Sequence, residues 1–376
     1  MGGSSTDAQW VSMPQLQNFP VACFLATSDS TLFVGGYYHS LYKSTDDGDT
    51  WVNTIGEIWA DTITCLASSD GYIFVGTTGA GIFRSPDRGK SWAKADSGIQ
   101  SGYGCDINQF ACTDSGVYAA TPLGVYFTSD SGNFWRPVNE GVGTFAWGGQ
   151  TYIVYILGVV STPSALFLTQ DLGYGASIMF PESGRWKYIG LSAHMCDAAA
   201  LAAIDTNVFA GTQDGVFMYS GKDSSWLPRS NGLPQFIPFC FFATADSLLF
   251  LHVGVAAGAI YVSGNLGESW SMVDGSIFSS SGVNAMATDK KYLFAGTQSG
   301  AWRIPLSDVV TSVHDTPPAL PNKYALFQNY PNPFNPTTVI SYQLSAVSKV
   351  TLIIYDVLGR EVAILVNGVR QPGNYA

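Results

Sequence analysis

An eight-residue phrase that ends in tryptophan recurs along the chain and decides its fold. Its clearest copies are Ser44-Thr45-Asp46-Asp47-Gly48-Asp49-Thr50-Trp51, Ser85-Pro86-Asp87-Arg88-Gly89-Lys90-Ser91-Trp92 and Thr128-Ser129-Asp130-Ser131-Gly132-Asn133-Phe134-Trp135. Seven tryptophans, most of them preceded by such a phrase, follow one another at steps of 40 to 51 residues: Trp10, Trp51, Trp92, Trp135, Trp186, Trp226 and Trp270. A repeat of about 40 to 50 residues is typical of propellers and solenoids.

Each copy reads S/T-x-D-x-G-x-x-W, and these residue types suit a tight turn between two strands. The Ser and the Asp can bond backbone N–H groups, the Gly supplies a left-handed φ, and the Trp buries its ring as the next strand begins. A carboxylate available for catalysis or for a metal is the alternative, but the turn pattern favours a structural role. The predicted structural residues are Asp46, Gly48, Trp51, Asp87, Gly89, Trp92, Asp130, Gly132, Trp135, Gly267 and Trp270.

This pattern resembles the Asp-box, or BNR repeat, of sialidases, sortilin-type receptors, xyloglucanases and a photosystem assembly factor. Later copies depart from it. The copy at 263–270 has Asn in place of Asp, the copy at 181–186 is one residue shorter, and the copy at 220–226 lacks the late Gly.

A second phrase precedes each turn, as in Leu32-Phe33-Val34-Gly35-Gly36, with related versions at 73–77, 208–212 and 293–297. Together with the segment after the Trp, it gives four short strands per unit, which is the composition of a propeller blade.

The two ends of this repeat are incomplete. The last unit, 284–308, has no Trp strand, and Gln9-Trp10-Val11-Ser12-Met13 resembles a Trp strand with no blade before it. Joining them removes an exposed sheet edge. We therefore expect an all-β fold whose first domain, residues 6–312, is a seven-bladed β-propeller. Six blades with loose ends is the alternative.

The composition excludes several classes of function. Of 376 residues, 46% are hydrophobic and 12% are charged, and the net charge is −11. A run long enough to span a bilayer is absent, so no membrane span is expected. A nucleic-acid partner is not expected either, because the chain has no cluster of Lys and Arg to bind a phosphate backbone.

Four cysteines occupy the predicted first strands of their units: Cys23, Cys65, Cys112 and Cys240. Buried free thiols are the favoured interpretation, because a small apolar side chain packs well near the central channel. A disulfide between Cys105 and Cys112 is the alternative in an oxidising compartment. The cysteines and the four histidines show neither zinc-site spacing nor a catalytic motif, so no metal site, catalytic residue or cofactor is predicted.

The repeat stops after Asp308, and a Pro-containing linker at 313–323 precedes a second domain at 324–376. This domain begins with Phe327-Gln328-Asn329-Tyr330-Pro331-Asn332-Pro333-Phe334-Asn335-Pro336-Thr337-Thr338. Strands are predicted at 338–344 and 349–355, before Asp356-Val357-Leu358-Gly359-Arg360-Glu361-Val362.

The domain resembles the start of the type A C-terminal sorting domain of the type IX secretion system. The resemblance implies a small immunoglobulin-like β-sandwich, the type IX secretion machinery as a partner, and a secreted or outer cell-surface location after periplasmic transit. Family members continue for a few strands beyond this point, and clients of this system carry a signal peptide. We therefore expect both a longer sorting domain and a signal peptide in the intact protein, so that the sandwich here is partial.

Enzymes of the propeller family are distinguished by residues outside the turns. Sialidases hold their substrate with three arginines that converge on one site. Here Arg84 and Arg303 occupy the same strand position in different blades, so they are a feature of the repeat and not part of such a triad. Xyloglucanase-type hydrolases need two opposed carboxylates across a long cleft, usually in a tandem of propellers. A non-catalytic binding or scaffold module is therefore the favoured function, and a glycoside hydrolase of sialidase or xyloglucanase type is the alternative.

The ligand is expected on the face opposite the turns, where several loops carry aromatic residues. The candidate ligand-binding residues are Tyr37, Tyr38, His39, Trp59 and Trp147, with Phe145 beside the last. Aromatic side chains at a pore mouth suit stacking on sugars or gripping a peptide, so the ligand class stays open between glycan and protein. The alternative is that Trp59 and Trp147 fill gaps between blades.

Overall fold

The computed structural model describes residues 9–100, 105–147, 150–171, 175–191, 200–212, 214–221, 225–234, 240–245, 248–253, 259–273, 278, 282–309, 324–326, 329, 338, 340, 342–356, 358–370 and 373–375. The chain divides into two compact units, Met1–Val313 and His314–Ala376. In the first unit the described residues form seven four-stranded antiparallel sheets, the blades of a β-propeller. The predicted all-β, seven-bladed propeller is confirmed. None of the helices in the described part of the chain has the length and apolar composition that a bilayer span requires.

The first strand, β1 (Val11–Ser12), is followed by a 3-10 helix at Pro14–Leu16 and then by three complete blades. Blade 1 consists of β2 (Val21–Ala26), β3 (Leu32–Gly36), β4 (Ser40–Ser44) and β5 (Val52–Asn53). Blade 2 consists of β6 (Ile63–Ser69), β7 (Tyr72–Thr77), β8 (Ile82–Ser85) and β9 (Ala93–Lys94). Blade 3 consists of β10 (Gln109–Thr113), β11 (Gly116–Thr121), β12 (Gly124–Thr128) and β13 (Arg136–Pro137).

A hairpin of β14 (Thr144–Trp147) and β15 (Gln150–Ile153) separates blade 3 from the three blades that follow. Blade 4 consists of β16 (Ile156–Ser161), β17 (Leu166–Gln170), β18 (Gly175–Met179) and β19 (Trp186–Tyr188). Blade 5 consists of β20 (Ala200–Ile204), β21 (Asn207–Thr212), β22 (Gly215–Ser220) and β23 (Ser225–Pro228). Blade 6 consists of β24 (Cys240–Ala245), β25 (Leu248–Val253), β26 (Ala259–Ser263) and β27 (Ser271–Val273).

Blade 7 closes the ring with strands from both ends of the propeller. Its inner strands are β28 (Val283–Thr288), β29 (Tyr292–Thr297) and β30 (Gly300–Pro305), and its outer strand is β1. Val11 pairs with Arg303, and the Met13 N–H donates to the Ala301 carbonyl at 2.9 Å. Trp10 packs edge to face against Phe278, with ring centroids 5.0 Å apart. The predicted closure by the N-terminal strand is confirmed, and β1 covers the edge that β30 would otherwise expose.

The second strand of each described blade is almost wholly buried, and in blades 1, 2 and 7 a glycine on this strand lets the next blade pack closely. A Cβ on Gly35 would lie 2.5 Å from Ile63 of blade 2 and 2.6 Å from the Cys23 sulfur. A Cβ on Gly76 would lie 2.8 Å from Ile107, at the start of blade 3. The glycine of the LFVGG phrase is therefore required by the close approach of neighbouring blades.

The turn of blade 1 shows why the phrase needs its polar residues. The Ser44 hydroxyl accepts the Gly48 N–H at 2.9 Å and donates to the Asp46 carboxylate at 2.7 Å. That carboxylate also accepts the N–H and the hydroxyl of Thr50, at 2.9 and 2.5 Å. Asp47 and Gly48 both have left-handed φ, of 56° and 91°. The turns at 85–92, 128–135 and 263–270 repeat two of these bonds: the first hydroxyl accepts the Gly N–H, and the Asp or Asn side chain accepts a backbone N–H near the end of the turn.

The tryptophan that ends a turn usually forms a hydrogen bond with the backbone of the preceding blade. The Trp92 indole N–H donates to the Thr54 carbonyl at 2.7 Å, and the Trp135 indole donates to the Ala95 carbonyl at 2.7 Å. Equivalent bonds join later blades: Trp186 to Val138, Trp226 to Ile189 and Trp270 to Arg229. Trp51 differs, since its indole donates to the Gly48 carbonyl of its own turn. The tryptophan therefore fastens successive blades and also fills the core.

A basic residue on the third strand adds a second connection at three consecutive interfaces. Lys43 donates to the Arg88 carbonyl in the turn of blade 2 at 2.8 Å. Arg84 donates in the same way to the Ser131 carbonyl in blade 3, and Arg303 donates to the Asp47 carbonyl in blade 1. In each case the accepting residue has a left-handed φ. The shared position of Arg84 and Arg303 therefore serves contacts between blades.

The cysteines whose side chains the structure describes are free thiols. Cys23 and Cys65 are buried, as predicted, and burial raises the pKa of Cys65 to about 12. Cys112 is half-buried, and burial raises its pKa to about 11. Cys105 is free, so the alternative of a Cys105–Cys112 disulfide is not found. The side chain of Cys240 lies outside the described residues.

The second unit contains two small sheets. One joins β31 (Ala325–Leu326), β32 (Tyr342–Leu344) and β35 (Gly373–Tyr375), and the other joins β33 (Ser348–Tyr355) to β34 (Glu361–Arg370). The strand predicted at 349–355 corresponds to β33. The predicted linker at 313–323 and most of the Pro-rich opening, 330–337, lie outside the described residues.

Asp356 organises the turn between β33 and β34. Its carboxylate accepts the backbone N–H groups of Leu358 and Arg360, each at 2.9 Å, and the Arg360 Nε–H at 2.7 Å. The bonds from Arg360 lower the pKa of Asp356. Gly359 has a φ of 77°, which suits glycine. The Asp, the Gly and the Arg of this phrase therefore build one hairpin turn.

Candidate functional site

The propeller has two faces with different loops. The S/T-x-D-x-G-x-x-W turns join the third and fourth strands and define the turn face. Loops between the second and third strands, such as 37–39, and connections between blades, such as 55–62, lie at the opposite ends of the strands. We call these loops and connections the loop face.

Most described loops between second and third strands follow one design. A threonine at the end of the second strand donates its hydroxyl to the carbonyl of a glycine at or just before the start of the third strand. These pairs are Thr77–Gly81, Thr121–Gly124, Thr212–Gly215 and Thr297–Gly300, with distances of 2.7 to 3.2 Å. All four glycines have positive φ, which glycine adopts without steric cost.

Blade 1 departs from this design. Gly36 replaces the threonine, because a Cβ there would lie 2.4 Å from Phe19 and 2.5 Å from the Pro20 carbonyl oxygen. The loop that follows contains Tyr37, Tyr38 and His39. Tyr38 and His39 have left-handed φ of 60° and 57°, a conformation that costs a bulky residue roughly 1 to 2 kcal/mol. The Tyr38 side chain is 80% exposed.

The connection from blade 1 to blade 2 presents Trp59 to solvent. Ile58 and Ala60 are buried in the core between these blades, whereas Glu57, Trp59 and Asp61 are exposed. The alternation turns one indole and two carboxylates outward. Trp59 is 81% exposed, so the alternative in which it fills a gap between blades is wrong.

Backbone contacts bring the loop and the connection together. The Tyr38 N–H donates to the Asp61 carbonyl at 2.8 Å, and Tyr37 forms an isolated β-bridge with Thr62. The rings of His39 and Trp59 lie 6.5 Å apart, and His39 Nε2 lies 3.9 Å from the Asp61 carboxylate. We refer to Tyr37, Tyr38, His39, Trp59 and Asp61 as the aromatic cluster.

Trp147 lies on the hairpin β14–β15 between blades 3 and 4. Its side chain lies outside the described residues, and the backbone places it in a different connection from the aromatic cluster. Phe145 pairs with Tyr152 across the hairpin, with stacked rings 5.6 Å apart. The Gln170 side chain bonds both backbone groups of Gly143 at the base of this hairpin, at 3.3 and 3.4 Å.

This connection is rich in glycine, with Gly141, Gly143, Gly148 and Gly149, yet 144–147 and 150–153 form strands. Alternating residues on both sides of Gly148-Gly149 carried the signal for a two-residue hairpin. Asp61 and Glu57 are further members of the site that sequence reasoning missed, because their exposure depends on the burial of Ile58 and Ala60.

The strongest carboxylate pKa shifts lie on the turn face. The Thr50 hydroxyl, with the Thr50 N–H and Ser44, lowers the pKa of Asp46 to about 2. Ser91 lowers the pKa of Asp87 far below its usual value, and Thr128 lowers that of Asp130. Carboxylates held ionised in this way are poor general acids. Among the described residues, no group of three His, Cys, Asp or Glu side chains is placed to hold a metal ion.

Known proteins resemble this chain in fold. The sequence matches no protein-family model and no curated protein. The structure is similar to YCF48 from Cyanidioschyzon merolae, with a TM-score of 0.60 and 15% identity over 79% of this chain and 98% of that chain. It is also similar to virginiamycin B lyase from Staphylococcus aureus, with a TM-score of 0.63 and 11% identity over 79% of this chain and 98% of that chain.

A third similar structure is the extracellular domain of BT4673 from B. thetaiotaomicron. Its TM-score is 0.59 at 16% identity, over 94% of this chain and 44% of that chain. At these identities the resemblance extends to the fold, a seven-bladed β-propeller.

Proposed function

We propose that the propeller is a non-catalytic recognition module and that its ligand contacts the aromatic cluster. The observation that carries this proposal is the departure of blade 1 from the loop design of blades 2, 3, 5 and 7. Those blades place glycine where φ is positive, whereas blade 1 places Tyr38 and His39 there. Strain of this kind is common at ligand sites, where the strained side chain has a function that glycine cannot supply.

The exposure of the cluster supports the same proposal. Tyr38 and Trp59 each leave about four-fifths of their surface in water, although burying an aromatic side chain is favourable. Aromatic residues are enriched where proteins bind partners, because one rigid ring buries a large area on contact. Trp147, on the same face, is a further proposed contact.

The S/T-x-D-x-G-x-x-W turns belong, in this proposal, to the Asp-box class and have a structural role. Their carboxylates bond Thr50, Ser91 and the Phe134 N–H within their own turns. A ligand on the loop face would not touch them. Loss of the Asp46 carboxylate is therefore expected to weaken folding and to leave ligand affinity unchanged.

We further propose that the second unit is a type IX sorting domain and that the protein is secreted or held at the outer cell surface. The support is the phrase at 327–338 together with the Asp356 turn, whose bonds account for the Asp, Gly and Arg of its motif. The test is export of a fluorescent protein that carries a signal peptide at its N-terminus and the whole C-terminal region of the intact protein, from residue 313 onward, in a bacterium with a type IX system. Retention of this fusion inside the cell would contradict the sorting role.

Binding is tested with the full chain on glycan and peptide arrays, followed by titration of any hit. The variant that replaces both Tyr38 and Trp59 by Ala is expected to lose binding. Tyr188→Ala removes a tyrosine that is 54% exposed on blade 4 and is the matched control. Equal loss in both proteins, or hydrolysis of a sialoside or β-glucan by the purified protein, would contradict the proposal.

A further inference from the structure

The charge of the loop face restricts the ligand. The described residues of this face lie in the loops 37–39, 78–81, 122–123, 171, 214 and 298–299 and in the connections 13–20, 55–62, 96–100, 105–108, 139–147, 150–155, 190–191, 231–234, 278 and 282. Across these ranges there is no Lys and no Arg. Acidic residues recur there: Glu57, Asp61, Asp96, Asp106, Glu140, Asp171 and Asp214, of which Asp96 and Glu140 pair with Lys94 and Arg185 outside these ranges. A face of this kind repels anions and attracts cations.

Two of these carboxylates flank the most exposed indole. Glu57, Trp59 and Asp61 alternate with the buried Ile58 and Ala60, so all three side chains face solvent from the segment 57–61, which begins in a turn. The Asp61 side chain is 94% exposed, and its backbone carbonyl accepts the N–H of Tyr38. An aromatic face next to a carboxylate is the arrangement that binds an organic cation, through the ring quadrupole and the charge together.

We infer that the aromatic cluster binds the cationic side chain of a lysine or arginine in a partner polypeptide. This inference rests on the proposed recognition function and names its ligand. The site offers one exposed indole, one exposed phenol and exposed carboxylates, and this chemistry suits the charge of one such side chain. A neutral sugar can also stack on an indole, but it gains nothing from the negative charge of this face, which favours a cation.

The test uses the full chain with its tryptophan indoles labelled with nitrogen-15. The Trp59 indole signal is assigned by its loss in Trp59→Phe. The probe is a flexible peptide of alternating glycine and lysine, and its matched control is the same peptide with every lysine acetylated at Nζ, which removes the charge and keeps the length. An N-acetylglucosamine tetramer and a chitosan tetramer test a glycan source.

The lysine peptide is expected to shift the Trp59 signal, and acetylation of the peptide is expected to weaken binding at least tenfold. Added salt weakens the binding, because both partners are exposed. Asp61→Asn is expected to weaken it about three- to tenfold. Asp214→Asn changes the net charge equally in the loop of blade 5 and is expected to leave the affinity within twofold.

Equal binding of the acetylated and unacetylated peptides would overturn the inference. Tighter binding of either sugar tetramer than of the lysine peptide at Trp59 would also overturn it, while leaving the recognition function intact. Failure of both peptides and both sugars, together with empty glycan and peptide arrays, would contradict the recognition function itself.

Discussion

Arg303 in the closing blade donates to the carboxylate of Asp49 in the turn of blade 1, with 2.6 Å between Nη2 and Oδ1. The same guanidinium donates to the Asp47 carbonyl and lies over the Tyr292 ring, 4.9 Å from its centroid. Two elements that are 254 residues apart in sequence are thus joined at the interface where the ring closes. The Arg303 side chain is 16% exposed and that of Asp49 is 66% exposed, so the arginine end of this pair is shielded from water.

We therefore expect Arg303→Met to lower the free energy of unfolding by about 1 to 3 kcal/mol, since charge-assisted hydrogen bonds in a partly buried site are lost. Urea denaturation measures the change. Lys290→Met, at an exposed position on a neighbouring loop, is the control and should change stability by less than about 0.5 kcal/mol. A double-mutant cycle with Asp49→Asn that gives no coupling energy would contradict a direct interaction.

The tryptophans allow a comparison within the chain. Trp92→Phe removes the indole N–H and leaves the Thr54 carbonyl of blade 1 without this donor, which should cost about 1 to 2 kcal/mol beyond the lost packing. Trp51→Phe removes a bond within its own turn. Because β1 already closes the ring beside blade 1, Trp51→Phe should weaken the contact between blades less than Trp92→Phe does. Denaturant titrations of the two variants make the comparison, and equal losses would contradict a special role of the indole in joining blades.

The sequence predicted the ring well because its determinants are local. The turn residues from Ser44 to Trp51 bond one another, and the strand phrase at 32–36 is a continuous buried segment. Closure was also predictable, since the strand at Trp10 and the last unit were each incomplete. The bond from Trp92 to Thr54 spans 38 residues and depends on how two blades pack, which no local pattern encodes.

The candidate site was only partly predictable. Tyr38 and Trp59 were found because exposed aromatic residues in loops are informative by themselves. Asp61 joins them through its backbone contact with Tyr38, which follows from blade packing. Trp147 lies on the same face as Trp59 but in another connection. The sequence indicated the face of each residue and could not indicate which loops lie side by side.

His252 makes stability depend on pH. It is 2% exposed, and its Nε2 accepts the Val283 N–H of blade 7 at 3.3 Å. Burial lowers its pKa from 6.5 to about 4. Between these values the unfolded chain binds a proton that the folded chain does not, so the free energy of unfolding is full above about pH 6.5 and falls as the pH drops toward 4. The loss by pH 4 is about 3 kcal/mol.

Urea denaturation from pH 4.5 to 7.5 measures this dependence. His252→Gln keeps an oxygen that can accept the Val283 N–H and removes the titration, so its stability should change less with pH over this interval. The measured quantity is the slope of the free energy of unfolding against pH. A loss of stability that is the same at every pH does not change this slope. Identical slopes in the two proteins would show that His252 is not the titrating group.

Substitution of Tyr38 by glycine separates stability from function. Its φ of 60° is favourable for glycine, so Tyr38→Gly should leave the free energy of unfolding unchanged or raise it by about 0.5 to 1 kcal/mol, after the entropy cost of glycine is subtracted. Tyr188→Gly, at an exposed tyrosine within β19, should lower stability by about 0.5 to 1 kcal/mol, because glycine weakens a strand. Thermal denaturation compares the two variants. A protein that tolerates Tyr38→Gly in folding and loses its ligand retains tyrosine there for binding, whereas a clear loss of stability would show that Tyr38 supports the fold.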